Sequence, residues 1–204
     1  MSAADPTSER PTRIAVFCGS QPGTNPAYSR VAEALGAHLA AADIDLVYGG
    51  GSVGLMGVLA DAVLAGGGRV TGVIPRWLAD RELAHHALTE LVVVEDMHQR
   101  KAKMAELADA FVALPGGIGT LEELFEQWTW GKLALHTKPV MILDVDGFFA
   151  SFVRLMEDMV TGGFLSDRHA EMLSVLTDPA EVTTVLSDYH HPPGQWHGEH
   201  GVEA

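Results

Sequence analysis

Short apolar runs alternate along this chain with longer stretches in which apolar positions recur every three or four residues. Six runs, at 13–18, 45–48, 69–74, 91–94, 110–114 and 139–143, are rich in β-branched residues and almost continuously apolar. That pattern predicts strands covered on both faces, whereas a half-exposed strand would alternate. Helical periodicity fills the gaps at 27–42, 55–65, 97–107, 121–135, 148–160 and 179–186; Val31, Leu35 and Leu39 lie one turn apart, and Leu124, Phe125 and Trp128 share one side. Strand and helix in alternation imply right-handed crossovers and a mostly parallel α/β sheet, doubly wound with helices on both faces. Such a sheet binds ligands in the crevice beyond the carboxyl ends of its strands.

The ends depart from this pattern. Residues 1–12 are small and polar and read as a flexible arm; residues 190–204, rich in His, Pro and Gly, read as a disordered tail. A single domain over 13–189 remains, as expected for 204 residues. Thirteen Lys+Arg against 27 Asp+Glu leave a net charge of −14. That excludes a broad nucleic-acid surface but not a small anionic ligand, because exposed charges beyond about 8 Å are screened at physiological salt. One cysteine, Cys18, cannot form an internal disulfide, and it reads as a buried thiol. The start lacks the apolar core of a signal peptide, and no apolar run reaches a membrane span. The expectation is a cytoplasmic protein with no membrane partner.

Chemistry concentrates where strands end. The first run leads into Cys18-Gly19-Ser20, the second into Gly49-Gly50-Gly51-Ser52-Val53-Gly54, and the fifth into Pro115-Gly116-Gly117-Ile118-Gly119-Thr120-Leu121-Glu122-Glu123. Glycine lets a ligand approach the backbone, and each turn feeds a helix whose free N–H groups suit a phosphate. The triple glycine lacks the Lys-Ser/Thr of a P-loop, and the first turn lacks the dinucleotide fingerprint, so a mononucleotide or sugar phosphate fits better. Thr120 and Glu123 form a Thr-x-x-Glu capping box on one reading; on the other, Glu123 is a carboxylate beside the crevice. Both readings stand at this point. Arg100, Lys101 and Lys103 crowd the start of a helix, where cations oppose the dipole, which suggests an anionic partner. Asp144 and Asp146 read as turn residues and Trp128 and Trp130 as core or subunit-contact residues. The tail histidines His190, His191, His197 and His200 make a poor metal cage.

The segment from Pro115 to Glu123 matches the pattern PGGxGTxxE and resembles the Lonely Guy family of cytokinin riboside 5′-monophosphate phosphoribohydrolases, often labelled lysine decarboxylases. Arg100-Lys101, the glycine loop 49–57 and Arg81-Glu82-Leu83 resemble further motifs of that family in the same order, over residues 13–186. The resemblance implies a Rossmann-like fold, a homodimer, and hydrolysis of a nucleoside 5′-monophosphate to free base and ribose 5-phosphate, without cofactor or metal. By position it implies a catalytic pair, Arg100 and Glu123. It implies nucleotide contacts from Glu82, Lys101, Gly117, Ile118, Gly119, Thr120, Leu121, Glu122 and Thr129, with Gly19, Ser20, Gly50, Gly51 and Gly116 around them. Residues Trp77-Leu78-Ala79-Asp80 and the histidine-rich tail depart from the family pattern.

Glycosidic cleavage passes through an oxocarbenium-like sugar. Glu123 would stabilise that cation or orient water, with helix-start amides favouring its ionised form; Arg100 would hold the phosphate or the carboxylate, or assist the departing base. A purine nucleotide nucleosidase acting on AMP is a related reading. A non-catalytic nucleotide or molybdenum-cofactor carrier of the same fold is the alternative; it would need the glycines but not the Arg100–Glu123 pair. Lysine decarboxylation fares badly, since none of Lys101, Lys103, Lys132 and Lys138 has a sequence-visible partner for pyridoxal phosphate chemistry.

Overall fold

The computed structural model describes residues 12–192, with the side chains of Glu82 and Leu83 excepted. The expectations placed on residues 1–11 and 193–204 lie outside the described residues. Seven strands form one parallel sheet in the order β4-β3-β2-β1-β5-β6-β7. They are β1 Arg13–Phe17, β2 Asp45–Tyr48, β3 Val70–Pro75, β4 Glu90–Val94, β5 Ala110–Ala113, β6 Val140–Leu143 and β7 Leu173–Leu176. The chain runs outward from β1 to β4, returns to the centre, and runs outward again from β5 to β7. The reversal lies between β1 and β5, which pair from Ile14↔Ala110 to Phe17↔Ala113. A crevice must open there, because successive crossovers leave on opposite faces of the sheet.

The helices are α1 Pro26–Ala41, α2 Gly54–Ala65, α3 Arg76–Leu78, α4 Met97–Leu107, α5 Ile118–Lys132, α6 Ala150–Thr161, α7 Asp167–Ala170 and α8 Glu181–Asp188. A π-helical turn, Ala79–Leu83, follows α3. One face of the sheet, with Val16, Leu46, Val112 and Met141, packs on Leu35 and Leu39 of α1, Leu59 and Val63 of α2, and Val182 of α8. The other face, with Phe17, Val47, Phe111 and Ile142, packs on Met104 of α4, Leu124 and Trp128 of α5, and Phe149. The central strands are therefore buried on both sides, which is why their sequences do not alternate. The doubly wound, Rossmann-like α/β architecture expected from the alternation is the one observed.

Local chemistry sets the helix starts. Asn25 caps α1 by accepting from Ala27 N at 2.9 Å, with Pro26 in the first turn, and Asp96 caps α4 by accepting from Gln99 N at 2.8 Å. The strand β7 is not among the six expected runs. It is a short edge strand in which Ser174 is half-buried and Val175 exposed, so the sequence carries little continuous apolar signal. Asp144 accepts from Phe149 N at 2.8 Å and Asp146 adopts φ 52°, the turn roles expected of them. No described helix is long and apolar enough to cross a membrane.

Candidate active site

The turns after β1, β2 and β5 converge at the reversal point. Gly19 N donates to Pro115 O at 3.1 Å, and Leu55 N donates to Gly19 O at 3.0 Å. Beside this knot lies a cavity of about 450 Å³. Its polar side is made by Ser20, Arg100, Glu122 and Glu123 with the backbone of residues 117–120; its apolar side by Val53, Met56, Ile74, Leu78 and Met97; and Cys18 lies against both.

Among the described residues, Arg100 and Glu123 are the one ion pair lining the cavity, and both are largely buried, with side chains 12% and 10% exposed. Arg100 comes from the first turn of α4 and Glu123 from the second turn of α5. The guanidinium Nη1 lies 3.3 Å from Glu123 Oε1, while Nε donates to the Val73 carbonyl at 3.2 Å. The bond to β3 fixes the plane of the guanidinium, so its fork is held rather than free to rotate. It also lies directly over Gly49, where a Cβ would run into it; the first glycine of the triple turn makes room for Arg100. Burial pushes the Glu123 carboxyl above the usual carboxylate range, and the neighbouring Arg100 guanidinium partly offsets this. The expectation that helix-start amides favour the ionised form is therefore overturned: Glu123 sits past the first turn, where desolvation dominates. The same burial, with Glu123 nearby, pushes the Cys18 thiol far up, which keeps it protonated.

The helix carrying Glu123 starts three residues before the periodicity suggests, at Ile118, with Gly117 as its N-cap and no side-chain cap. The capping-box reading is thereby overturned: Thr120 is inside the first turn, buried, and Glu123 reaches Arg100 rather than back to the cap. The uncapped start leaves first-turn amides without intrahelical partners at the cavity wall. Gly117 and Gly119 have nothing within 4 Å of where a Cβ would stand. An anion can therefore come up to this backbone, and the positive end of α5 favours one.

Residues 56–186 match the family model described as "Possible lysine decarboxylase". The chain is 48% identical over 183 residues to cytokinin riboside 5′-monophosphate phosphoribohydrolase LOG7 of Arabidopsis thaliana, covering 90% of this chain and 84% of that one. It is 47% identical over 177 residues to LOG1 of the same plant, covering 87% and 83%. The chain belongs to the Lonely Guy family. A solved structure of the molybdenum cofactor binding protein from Rippkaea orientalis superposes with a TM-score of 0.67 over 88% of this chain and 98% of that one, at 20% identity, and shares the fold.

Among the positions that the Lonely Guy resemblance singles out, the structure brings Ser20, Gly51, Arg100, Gly117, Ile118, Gly119, Thr120, Glu122 and Glu123 to one cavity. Gly19 and Gly116 instead line a smaller adjoining cavity of about 230 Å³, which also has Ser20 and Gly117 in its wall. Their glycines serve close backbone approach, since a Cβ on Gly116 would meet Thr120 and stand 2.9 Å from Gly19 N. Gly50, Lys101, Leu121 and Thr129 do not line the main cavity. Thr129 is exposed a turn and a half beyond Glu123 on α5. Lys101 is buried, its Nζ bonded to Glu122 and, at 3.0 Å, to Glu126. Arg100 and Lys101 thus meet carboxylates of α5 and tie the two helices together, while Lys103 pairs with Glu106 of α4 itself. Glu82 lies in the π turn, and its side chain is outside the described positions.

The candidate site residues did not include the apolar wall of Val53, Met56, Ile74 and Met97; Leu78, which completes it, belongs to the segment 77–80 that departs from the family pattern. Val53, Met56 and Met97 lie at helix starts, Ile74 near the carboxyl end of β3 and Leu78 at the end of α3.

Proposed function

We propose that this chain hydrolyses the N-glycosidic bond of nucleoside 5′-monophosphates, cytokinin nucleotides among them, to a free base and ribose 5-phosphate. The observation that carries the reading is the buried Arg100–Glu123 pair beside the uncapped, glycine-lined start of α5. The names of relatives at 47–48% identity support it. The 5′-phosphate lies on the amides of residues 117–120, which brings the anomeric carbon within reach of Glu123. Water adds to that carbon as its bond to the base nitrogen breaks; the bonding pair leaves with the base, and a proton from solvent restores the neutral base. Glu123 faces the oxocarbenium-like sugar and takes the proton of the attacking water. Arg100 offsets part of what burial costs the carboxylate and holds it in place. Met56, Leu78 and Met97 offer an apolar surface to the base and any substituent on it. No described lysine lines this cavity, which speaks against decarboxylation through a lysine Schiff base.

The reading carries a homodimer in the cytoplasm, checked by light scattering. Ile118, 89% exposed at the cavity wall, supports a further covering surface there. The deciding experiment is incubation with AMP and isopentenyladenosine monophosphate, following free base and ribose 5-phosphate. Glu123→Ala and Arg100→Ala are each expected to lower release by at least about a hundredfold while the fold persists. Full turnover in a folded Glu123→Ala variant would overturn the mechanism. Tight nucleotide binding without release by the unaltered protein would favour a carrier.

A further inference from the structure

The wall of the cavity formed by the glycine turn after β2 is held from behind by a side chain that takes no part in the chemistry above. His85 is buried, two residues past the π turn that carries Arg81 and Glu82. Its backbone N–H donates to Gly50 O at 2.9 Å, and Ala84 bridges Gly51 in antiparallel fashion. From the other side the Tyr48 hydroxyl donates to Gly51 O at 3.1 Å. The imidazole completes the arrangement. Nδ1 accepts the Ala87 N–H at 3.2 Å, which assigns the proton to Nε2, and Nε2 donates to Asp61 Oδ1 of α2 at 2.9 Å. One side chain therefore ties the segment after the π turn to α2, while its backbone ties the same segment to the turn whose Gly49 and Gly51 line the cavity. Leu78, at the other end of this segment, is also in the cavity wall.

We propose that His85, with Asp61, is a positioning residue for the reaction: it fixes the segment 78–85 against the glycine turn and so presents a preformed wall to the nucleotide. The pair touches neither Arg100 nor Glu123, so it acts on binding of the nucleotide and leaves the chemical step intact. Preorganised walls lower the ordering cost that binding would otherwise carry. Asp61 is the informative partner, since its side chain is 71% exposed and can be changed without opening the core.

This proposal rests on the reading of the cavity as a nucleotide site, and the test separates the two. Steady-state hydrolysis of AMP is measured for the unaltered protein, His85→Ala, His85→Gln, Asp61→Ala, Asp61→Asn and the double variant His85→Ala with Asp61→Ala, together with hydrogen exchange at the His85 amide. His85→Ala and Asp61→Ala are expected to raise KM about tenfold with kcat within about twofold. The double variant is expected to be no worse than either single one. His85→Gln, which restores a donor toward Asp61, and Asp61→Asn, which keeps an acceptor, are expected to recover most of the loss. Exchange at the His85 amide speeds up in both alanine variants. If His85→Ala does not fold, Asp61→Ala carries the test alone. KM unchanged in folded Asp61→Ala, or a fall in kcat equal to the rise in KM, would overturn the proposal. Should the unaltered protein release no base, the functional reading fails, and exchange at His85 still decides whether the tie holds the turn.

Discussion

The glycine turn after β2 and the one after β5 look alike in the sequence, and they are built for opposite purposes. At Gly49 the space a side chain would take is filled by the Arg100 guanidinium; at Gly50 a φ of 74° sets the turn; and the next carbonyl is held by Tyr48. This turn is spent on the protein's own side chains. After β5, Gly116 is also crowded, against Thr120 and Gly19, but Gly117 and Gly119 face open space at a helix start with no cap. Both turns run into helices without a side-chain cap, but only after β5 do glycines face open space, so that something from outside can come up to the backbone. A glycine cluster is thus two kinds of feature, and what stands next to each missing Cβ tells them apart.

The largest effect is expected at Gly49. Gly49→Ala puts a methyl group where the guanidinium lies, and the flexible arginine gives way rather than the backbone. The fold is expected to survive, while the Arg100–Glu123 pair moves out of register. A displacement of about 1 Å costs roughly a hundredfold in rate. Turnover of AMP with circular dichroism checks both halves. Activity near that of the unaltered protein would mean that Arg100 does not need its present position.

Gly119→Ala sharpens the same contrast with a smaller effect of two signs. A Cβ there meets nothing, and alanine in a helical first turn is preferred over glycine, so stability should rise by about 0.4–1 kcal/mol. If the amides of residues 117–120 receive a phosphate, the added methyl crowds it, and the nucleotide Kd should rise about tenfold. Thermal unfolding and calorimetry with AMP read the two effects separately. A stabler protein with unchanged affinity would remove the phosphate from this turn.

Much of this arrangement was legible beforehand, for reasons that differ by region. Strands buried on both faces announce themselves as unbroken apolar runs, so β1, β2, β5 and β6 were visible to within a residue or two. The edge strand β7 was not, because Ser174 interrupts its short run; the other edge, β4, keeps an unbroken apolar run at 91–94 and was visible. The start of α5 was misplaced because Ile118 is followed by glycine and threonine, poor helix formers that tertiary packing overrides. Arg100 and Glu123 could be picked out by residue type and order. Their pairing was one of several roles open to Arg100 and could not be chosen, and the diversion of Lys101 to Glu122 and Glu126 was not visible, since both depend on how α4 and α5 lie across the sheet. The His85–Asp61 tie left no trace in the motifs at all: it joins two elements through residues that are ordinary one at a time.

The subtlest expected effect concerns Glu123 and pH. Its carboxyl titrates above the ordinary value of 4.5 because burial penalises the charge more than Arg100 relieves it. Between 4.5 and the raised native value the folded state therefore holds more protons than the unfolded one, and stability from this group falls as pH rises. Below that window the penalty is absent; above it the penalty is complete and constant. Glu123→Gln removes the titration. The difference in unfolding free energy between the unaltered protein and Glu123→Gln should consequently move in favour of the variant as pH climbs through the window, then level off. A window one pH unit wide would correspond to a change of about 1.4 kcal/mol in that difference. Urea unfolding of both proteins at several pH values gives the difference directly. A difference that stayed flat, or moved toward the unaltered protein, would mean that Arg100 outweighs burial, and Glu123 would then stand ionised at little cost, as a carboxylate beside free helix amides would.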